Sequence, residues 1–203
     1  MLYFKNLCQI VISRRSIIYI YLQILFVAIY LFLFCKISIS AEIKGPEIKL
    51  QNNEINVTTE LILEEKYIQE LKKGIEKEFK FYIDIFRIWE FWPDEFVFGK
   101  FVIRNLKCDP VKTEYIATSN DGNKIIEKRF KSFESMINWA VRIEDLKLVN
   151  IKELEPGTYY VKITVESKIR KLPPIIGYFL IFLPENEFKI QKNSHPFNIG
   201  QKK

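Results

Sequence analysis

Residues 75–92 read Ile-Glu-Lys-Glu-Phe-Lys-Phe-Tyr-Ile-Asp-Ile-Phe-Arg-Ile-Trp-Glu-Phe-Trp. Apolar and polar residues alternate along this segment, and a period of two sends them to opposite faces of one extended strand. One face carries Ile75, Phe79, Phe81, Ile83, Ile85, Trp89 and Phe91, interrupted by Lys77 and Arg87. It reads as a core face. The other carries Glu76, Glu78, Lys80, Tyr82, Asp84, Phe86, Ile88, Glu90 and Trp92. This face starts as a solvated surface and turns apolar at Tyr82, Phe86, Ile88 and Trp92. A bulge inside so long a strand would exchange the two faces beyond it.

A long half-apolar strand needs sheet partners, and the rest of the chain supplies candidates. Glu47–Gln51 and Glu54–Leu61 flank Asn52-Asn53, a turn pair that tolerates positive φ. Leu63–Lys73 has helical spacing, with Leu63, Tyr67, Ile68 and Leu71 on one side and Gly74 as its stop. Phe96–Lys107 is a second long strand. Lys112–Thr118 and Lys124–Phe130 surround Asn120-Asp121-Gly122-Asn123, a hairpin signal. Ser132 is placed to cap a short helix carrying Phe133, Met136, Ile137 and Ala140. Strands at Leu146–Ile151, Thr158–Ile169, Ile175–Leu183 and Glu187–Gln191 follow, then a polar and loose tail over 192–203. Many antiparallel strands with two short helices predict a mainly β chain, an antiparallel β-sandwich of immunoglobulin-like tendency. Leu154-Glu155-Pro156-Gly157-Thr158-Tyr159-Tyr160 looks like the turn into a late strand of such sandwiches, with Tyr160 as the corner tyrosine whose hydroxyl bonds back to the chain.

The first 41 residues stand apart, so the expected organisation is 1–41 leader, 42–191 sandwich and 192–203 tail. The leader has no Asp or Glu, and Lys5, Arg14 and Arg15 precede an apolar run from Ile17 to Cys35 broken only by Gln23. That length can span a bilayer, and the basic flank keeps the N-terminus cytoplasmic. Two readings stand: a signal peptide cut near Ser40 or Ala41, or an uncleaved anchor. Either one exports the remainder, to the periplasm or to the outer face of the cytoplasmic membrane. Lys5, Arg14, Arg15 and Lys36 belong to this end of the chain, so 31 basic residues less these four leaves 27 against 25 acidic ones, a balance of +2. A near-neutral mixed surface is no nucleic-acid footprint. Cys8 and Cys35 lie in the leader, which leaves Cys108 alone in the exported part with no intrachain partner.

The ordered series of pieces resembles a bacterial family known as domain of unknown function 4390. The resemblance is carried by Leu71-Lys72-Lys73-Gly74-Ile75, Arg87-Ile88-Trp89-Glu90-Phe91-Trp92, the Tyr115 strand with its Asn-Asp-Gly turn, Phe130-Lys131-Ser132-Phe133-Glu134, Leu154-Glu155-Pro156-Gly157 and Leu172-Pro173-Pro174. It runs over roughly residues 44–199. It implies an exported envelope protein of bacteria, with no established activity and no catalytic residues to carry over.

The residues themselves point away from catalysis. His195 is the one histidine and precedes Pro196 in the tail, so a His-based triad is not expected. One histidine and one exported cysteine do not make a zinc site, and the seven glycines are too scattered to cradle a phosphate. Asp84 and Glu90 share a side of the aromatic strand but lie roughly 20 Å apart along it, too far for a glycosidase pair. No cofactor is expected. The leading expectation is a non-enzymatic module that binds an envelope or membrane protein through Tyr82, Phe86, Ile88 and Trp92. The alternative is a binder of a small apolar or lipidic ligand held within the sandwich. Two structural readings bear on the patch: the helix at Leu63–Lys73 covers it, or it is an open surface. Leu172–Leu183, after Lys168, Arg170 and Lys171, reads as a buried strand or as a membrane-facing edge with a basic flank.

Overall fold

The computed structural model describes residues 19, 22–26, 41–169 and 187–200. The chain divides into two units, 1–39 and 40–203. Of the first, residues 19 and 22–26 are described and are helical. The leader's apolar run lies mostly outside the described residues, as does the Leu172–Leu183 run. Among the described residues no helix is long and apolar enough to cross a membrane.

The second unit runs β1 Glu42–Gln51, β2 Glu54–Ile62, α1 Glu65–Lys72, β3 Lys77–Ile88, β4 Glu95–Asp109, β5 Glu114–Asn120, β6 Ile125–Phe130, α2 Phe133–Val141, β7 Arg142–Asn150, β8 Gly157–Ile169, β9 Phe188–Asn193 and β10 Phe197–Ile199. Among its described residues it is mainly β, in two antiparallel sheets with two short helices. One sheet has the order β1-β2-β7; the other runs β10-β8-β3-β4-β5-β6, with β9 also pairing β8. The long aromatic strand is thus central, with β8 on one side and β4 on the other. In the larger sheet β3-β4-β5-β6 form a meander, and β8 returns beside β3 only after β7 has joined the other sheet.

Local chemistry explains the joints. Asn52 and Asn53 both take positive φ, 53° and 59°, as a two-residue hairpin requires. Helix α1 ends with Gly74 at φ 88°. There the Gly74 N–H donates to the Leu71 carbonyl at 2.9 Å and the Ile75 N–H to that of Glu70 at 3.1 Å, a Schellman motif. This turn folds β3 back against the helix it follows. Ser132 caps α2 by accepting from the Ser135 N–H at 3.2 Å.

The two sheets share one core. Phe79, Phe81, Ile83 and Ile85 point inward with no exposed surface. They join Ile55, Val57 and Leu61 of β2, Val161, Ile163 and Val165 of β8, and Met136 and Ala140 of α2. Complete burial of a side chain of this size is worth roughly 2 kcal/mol. Lys77 lies on this same face and is equally buried. Its ammonium pairs with Glu70 at 2.5 Å and with Glu187, beside the Tyr67 ring at 5.4 Å.

Three expectations change. The corner tyrosine is Tyr159, not Tyr160. Tyr159 is buried and its hydroxyl donates to the Glu155 carbonyl at 2.7 Å, whereas Tyr160 faces the other way and donates to Asp94 at 3.1 Å. Register decides this: Tyr159 pairs with Arg87 on the inner face and Tyr160 with Phe86 on the outer one. Tyr159→Phe is expected to lower stability by about 1 kcal/mol, and Tyr160→Phe by less than about 0.5 kcal/mol. Urea midpoints of the two variants check the assignment; a larger loss at Tyr160 would reverse it.

The second change is at the end of the aromatic strand. Trp89 and Phe91 do not continue the core face, because β3 stops at Ile88 and Phe91 in the following turn is 90% exposed. Past the last ladder pair, alternation no longer dictates side-chain direction.

The third is the tail, which is built in through Gly200 rather than loose. Ser194 is buried, its N–H donates to the Val161 carbonyl at 2.8 Å, and its Oγ accepts from the Val161 N–H at 2.9 Å. Residues 197–199 then add a strand to the start of β8, with Phe197 stacked on Tyr159 at 6.3 Å.

Candidate functional site

The outer face of the seven-stranded sheet is where the second face of β3 emerges. A bulge does occur there, between Ile85 and Phe86, but the extra residue belongs to β4: Ile85 pairs with Phe98 and Phe86 with Phe96, leaving Val97 over. The faces of β3 are therefore not exchanged. Tyr82, Asp84 and Phe86 share the outer face with Phe101 and Gly99 of β4 and with Thr164, Lys162 and Tyr160 of β8.

These neighbours organise the patch. Phe86 stacks on Tyr160 with ring centroids 5.4 Å apart and meets Phe96 edge-on at 5.8 Å. The Lys162 ammonium lies 4.6 Å from the centre of the Phe86 ring. Lys80 sits 4.9 Å from Tyr82 and 5.8 Å from Phe101. Aromatic pairs and cations over ring faces each contribute about 0.5–1.5 kcal/mol. The rings are thus held in place without being covered.

Asp84 lies within this aromatic group. A Cβ added to Gly99 would collide with Asp84 Oδ1 and meet the Phe96 ring at 3.2 Å, so the carboxylate and the ring occupy the room that glycine leaves. Burial raises the Asp84 carboxyl above the usual carboxylate range, against a partial downward pull from Lys162. Glu90, its sequence-level companion, is an exposed residue of the turn after β3.

The four residues singled out from the sequence have different settings. Tyr82, Phe86 and Ile88 are half-buried on the outer face of β3, and Trp92 is 77% exposed in the β3–β4 turn. The turn is tied to the sheet by Tyr160 and Asp94, and by the Trp89 indole N–H donating to Glu95 at 3.1 Å. Phe86 is drawn into the ring cluster; no such contact joins Trp92 to it among the described residues. Helix α1 does not cover the patch. It lies on the inner side, where Tyr67 packs edge-on against Phe188 at 5.1 Å and Leu71 is fully buried.

Phe96, Phe101 and Lys162 are not singled out by sequence reasoning, and Tyr160 is singled out only as a corner tyrosine. Each sits on a recognisable strand, but only register shows that they flank Phe86 and Tyr82. Cavities of about 330, 430 and 320 Å3 occur elsewhere, each lined in part by charged side chains such as Lys131, Arg142 and Glu127.

The family described as Domain of unknown function (DUF4390) matches residues 39–195. No curated protein and no solved structure matches.

Proposed function

Since the chain belongs to the DUF4390 family, which brings no activity with it, we propose from the geometry that it is a non-enzymatic interaction module of the cell envelope. It docks an envelope or membrane protein on the outer face of its larger sheet. The supporting observation is the aromatic surface formed by Phe86, Tyr160 and Phe96, with Phe91 and Trp92 exposed in the turn that follows β3. Aromatic side chains held rigidly at a surface are favoured anchors, because little conformational freedom is lost when a partner covers them. Lys80 and Lys162 over the rings fit a partner that presents apolar side chains flanked by carboxylates. The basic flank and apolar run of the leader support placement at the outer face of the cytoplasmic membrane.

The test is photo-crosslinking in living cells with a reactive residue at Tyr82, and at Glu65 on α1 as the control. A discrete membrane-protein adduct from Tyr82, absent from Glu65 and lost when Phe96→Asp is added, is the expected result. Lipid adducts alone, or none from Tyr82, would overturn the reading.

A further inference from the structure

A different site lies on the inner side of the larger sheet. Arg104 of β4 pairs with Phe79 and with Ser119, so its side chain starts from the core face. It runs beneath α2, where its guanidinium carbon lies 3.9 Å from the centre of the Trp139 ring. Its Nε–H is buried and has no hydrogen-bond partner among the described residues, and no carboxylate stands within ion-pair distance of the guanidinium among them. Burial alone accounts for the lowering of its pKa to about 10. A ring face offsets only part of what it costs to desolvate a guanidinium, and a cation in this state normally has a counter-charge.

Arg104 lines a cavity of about 430 Å3 together with Asn138, Trp139, Arg142 and Glu144. The Lys128 ammonium lies 5.0 Å from the Trp139 ring centre, and Arg142 Nε donates to Glu60 at 3.2 Å. Among the described residues Glu144 is the one acid of the lining; it is exposed and forms no ion pair with Arg104. The carbonyl end of α2 is also near and favours cations, but none of its carbonyls accepts from Arg104 among the described residues. Arg104 and Lys128 thus both stand against the Trp139 ring, while Arg142 of the lining is already paired with Glu60.

We infer that this cavity is a binding site for a small oxyanion ligand, one headed by a carboxylate or a phosphate, with the Arg104 guanidinium as its principal contact and Trp139 as its wall. A planar guanidinium meets either group with two parallel hydrogen bonds. Asn138 supplies an amide beside it, and Lys128 adds positive potential on the Trp139 wall.

The experiment uses the full chain, nitrogen-15 labelled in a non-ionic detergent, with acetate and inorganic phosphate titrated at constant ionic strength. The indole signals of Trp89, Trp92 and Trp139 are followed, and Trp139→Phe assigns the third. The expected result is a saturable shift of the Trp139 signal, with those of Trp89 and Trp92 unmoved. Arg104→Met is expected to weaken binding about tenfold or more, and Glu144→Gln to tighten it about threefold. Stronger binding of phosphate identifies a phosphate-headed ligand, and stronger binding of acetate a carboxylate. A Trp139 signal that does not move, moves without saturating, or responds equally in Arg104→Met overturns the site. If Arg104→Met does not fold, Arg104→Lys carries the test: a point charge in place of the fork should weaken binding several-fold, and unchanged affinity overturns the assignment.

Discussion

Lys77→Met is expected to lower the stability of the sandwich by about 3 kcal/mol. Lys77 has no exposed surface, and both of its carboxylate partners are themselves partly buried. Removal of the ammonium leaves Glu70 and Glu187 facing each other with no cation between them. The two come from distant parts of the chain, seven residues before Lys77 and 110 after it. The lysine therefore ties α1 and the entry to β9 to the central strand. Glu187 also accepts from Ser167 Oγ at 2.9 Å and donates its N–H to the Ser167 carbonyl at 2.8 Å, which fixes the point where β9 rejoins β8. Methionine fills the volume of the lysine stem, so the loss reports the charge rather than a cavity. Adding Glu70→Gln and Glu187→Gln to Lys77→Met should restore most of the stability, because the cost of an unpaired buried charge is then gone. Urea unfolding of the three chains followed by circular dichroism decides it. A loss below about 0.5 kcal/mol for Lys77→Met would place the triad among ion pairs of no consequence.

The same residue shows how far the sequence could be read. Lys77 and Arg87 break the inner face of the aromatic strand, and at the level of pattern both are interruptions. The structure buries Lys77 completely, and sets Arg87 at the end of that face, bonded to Glu155 at 2.5 Å and to the Pro156 carbonyl at 3.0 Å. Pattern identifies a charge on an apolar face; it cannot identify a partner 110 residues away. The strands, the Asn-Asn hairpin, the Ser132 cap and the Gly74 stop were legible because each depends on neighbours within a few residues. The corner tyrosine was misassigned by one position because a slip of one residue exchanges the faces, and the face of Tyr159 is set by pairing with Arg87. The tail was misread for a related reason: Phe197 and Ile199 alternate over too short a run to register as a strand until β8 is there to receive them. At the candidate surface, Tyr82, Phe86 and Ile88 could be read from one strand. Phe96, Tyr160 and Lys162 belong to other strands and needed the sheet.

The outer surface and the core can be separated experimentally within one short segment. Phe81→Ala is expected to cost about 3–5 kcal/mol, since Phe81 is fully buried between Val102 and Val165. Phe91→Ala, ten positions along the same aromatic run, is expected to change stability by less than about 0.5 kcal/mol, because that ring stands 90% exposed. Trp92→Ala, at 77% exposure, should behave like Phe91→Ala. The contrast follows from the end of the ladder at Ile88, not from residue type, since all three are aromatic. It also bears on the docking reading. A surface that contributes little to the fold yet holds aromatic rings in water raises the free energy of the unbound protein, and a partner that covers it recovers that hydrophobic cost. Phe91→Ala and Trp92→Ala should therefore leave urea midpoints in place while reducing the crosslink from Tyr82. A loss at Phe91 matching that at Phe81 would mean that the turn is packed in solution and that its rings serve the core. Unchanged stability with an unchanged crosslink would confine docking to the Phe86, Tyr160 and Phe96 cluster.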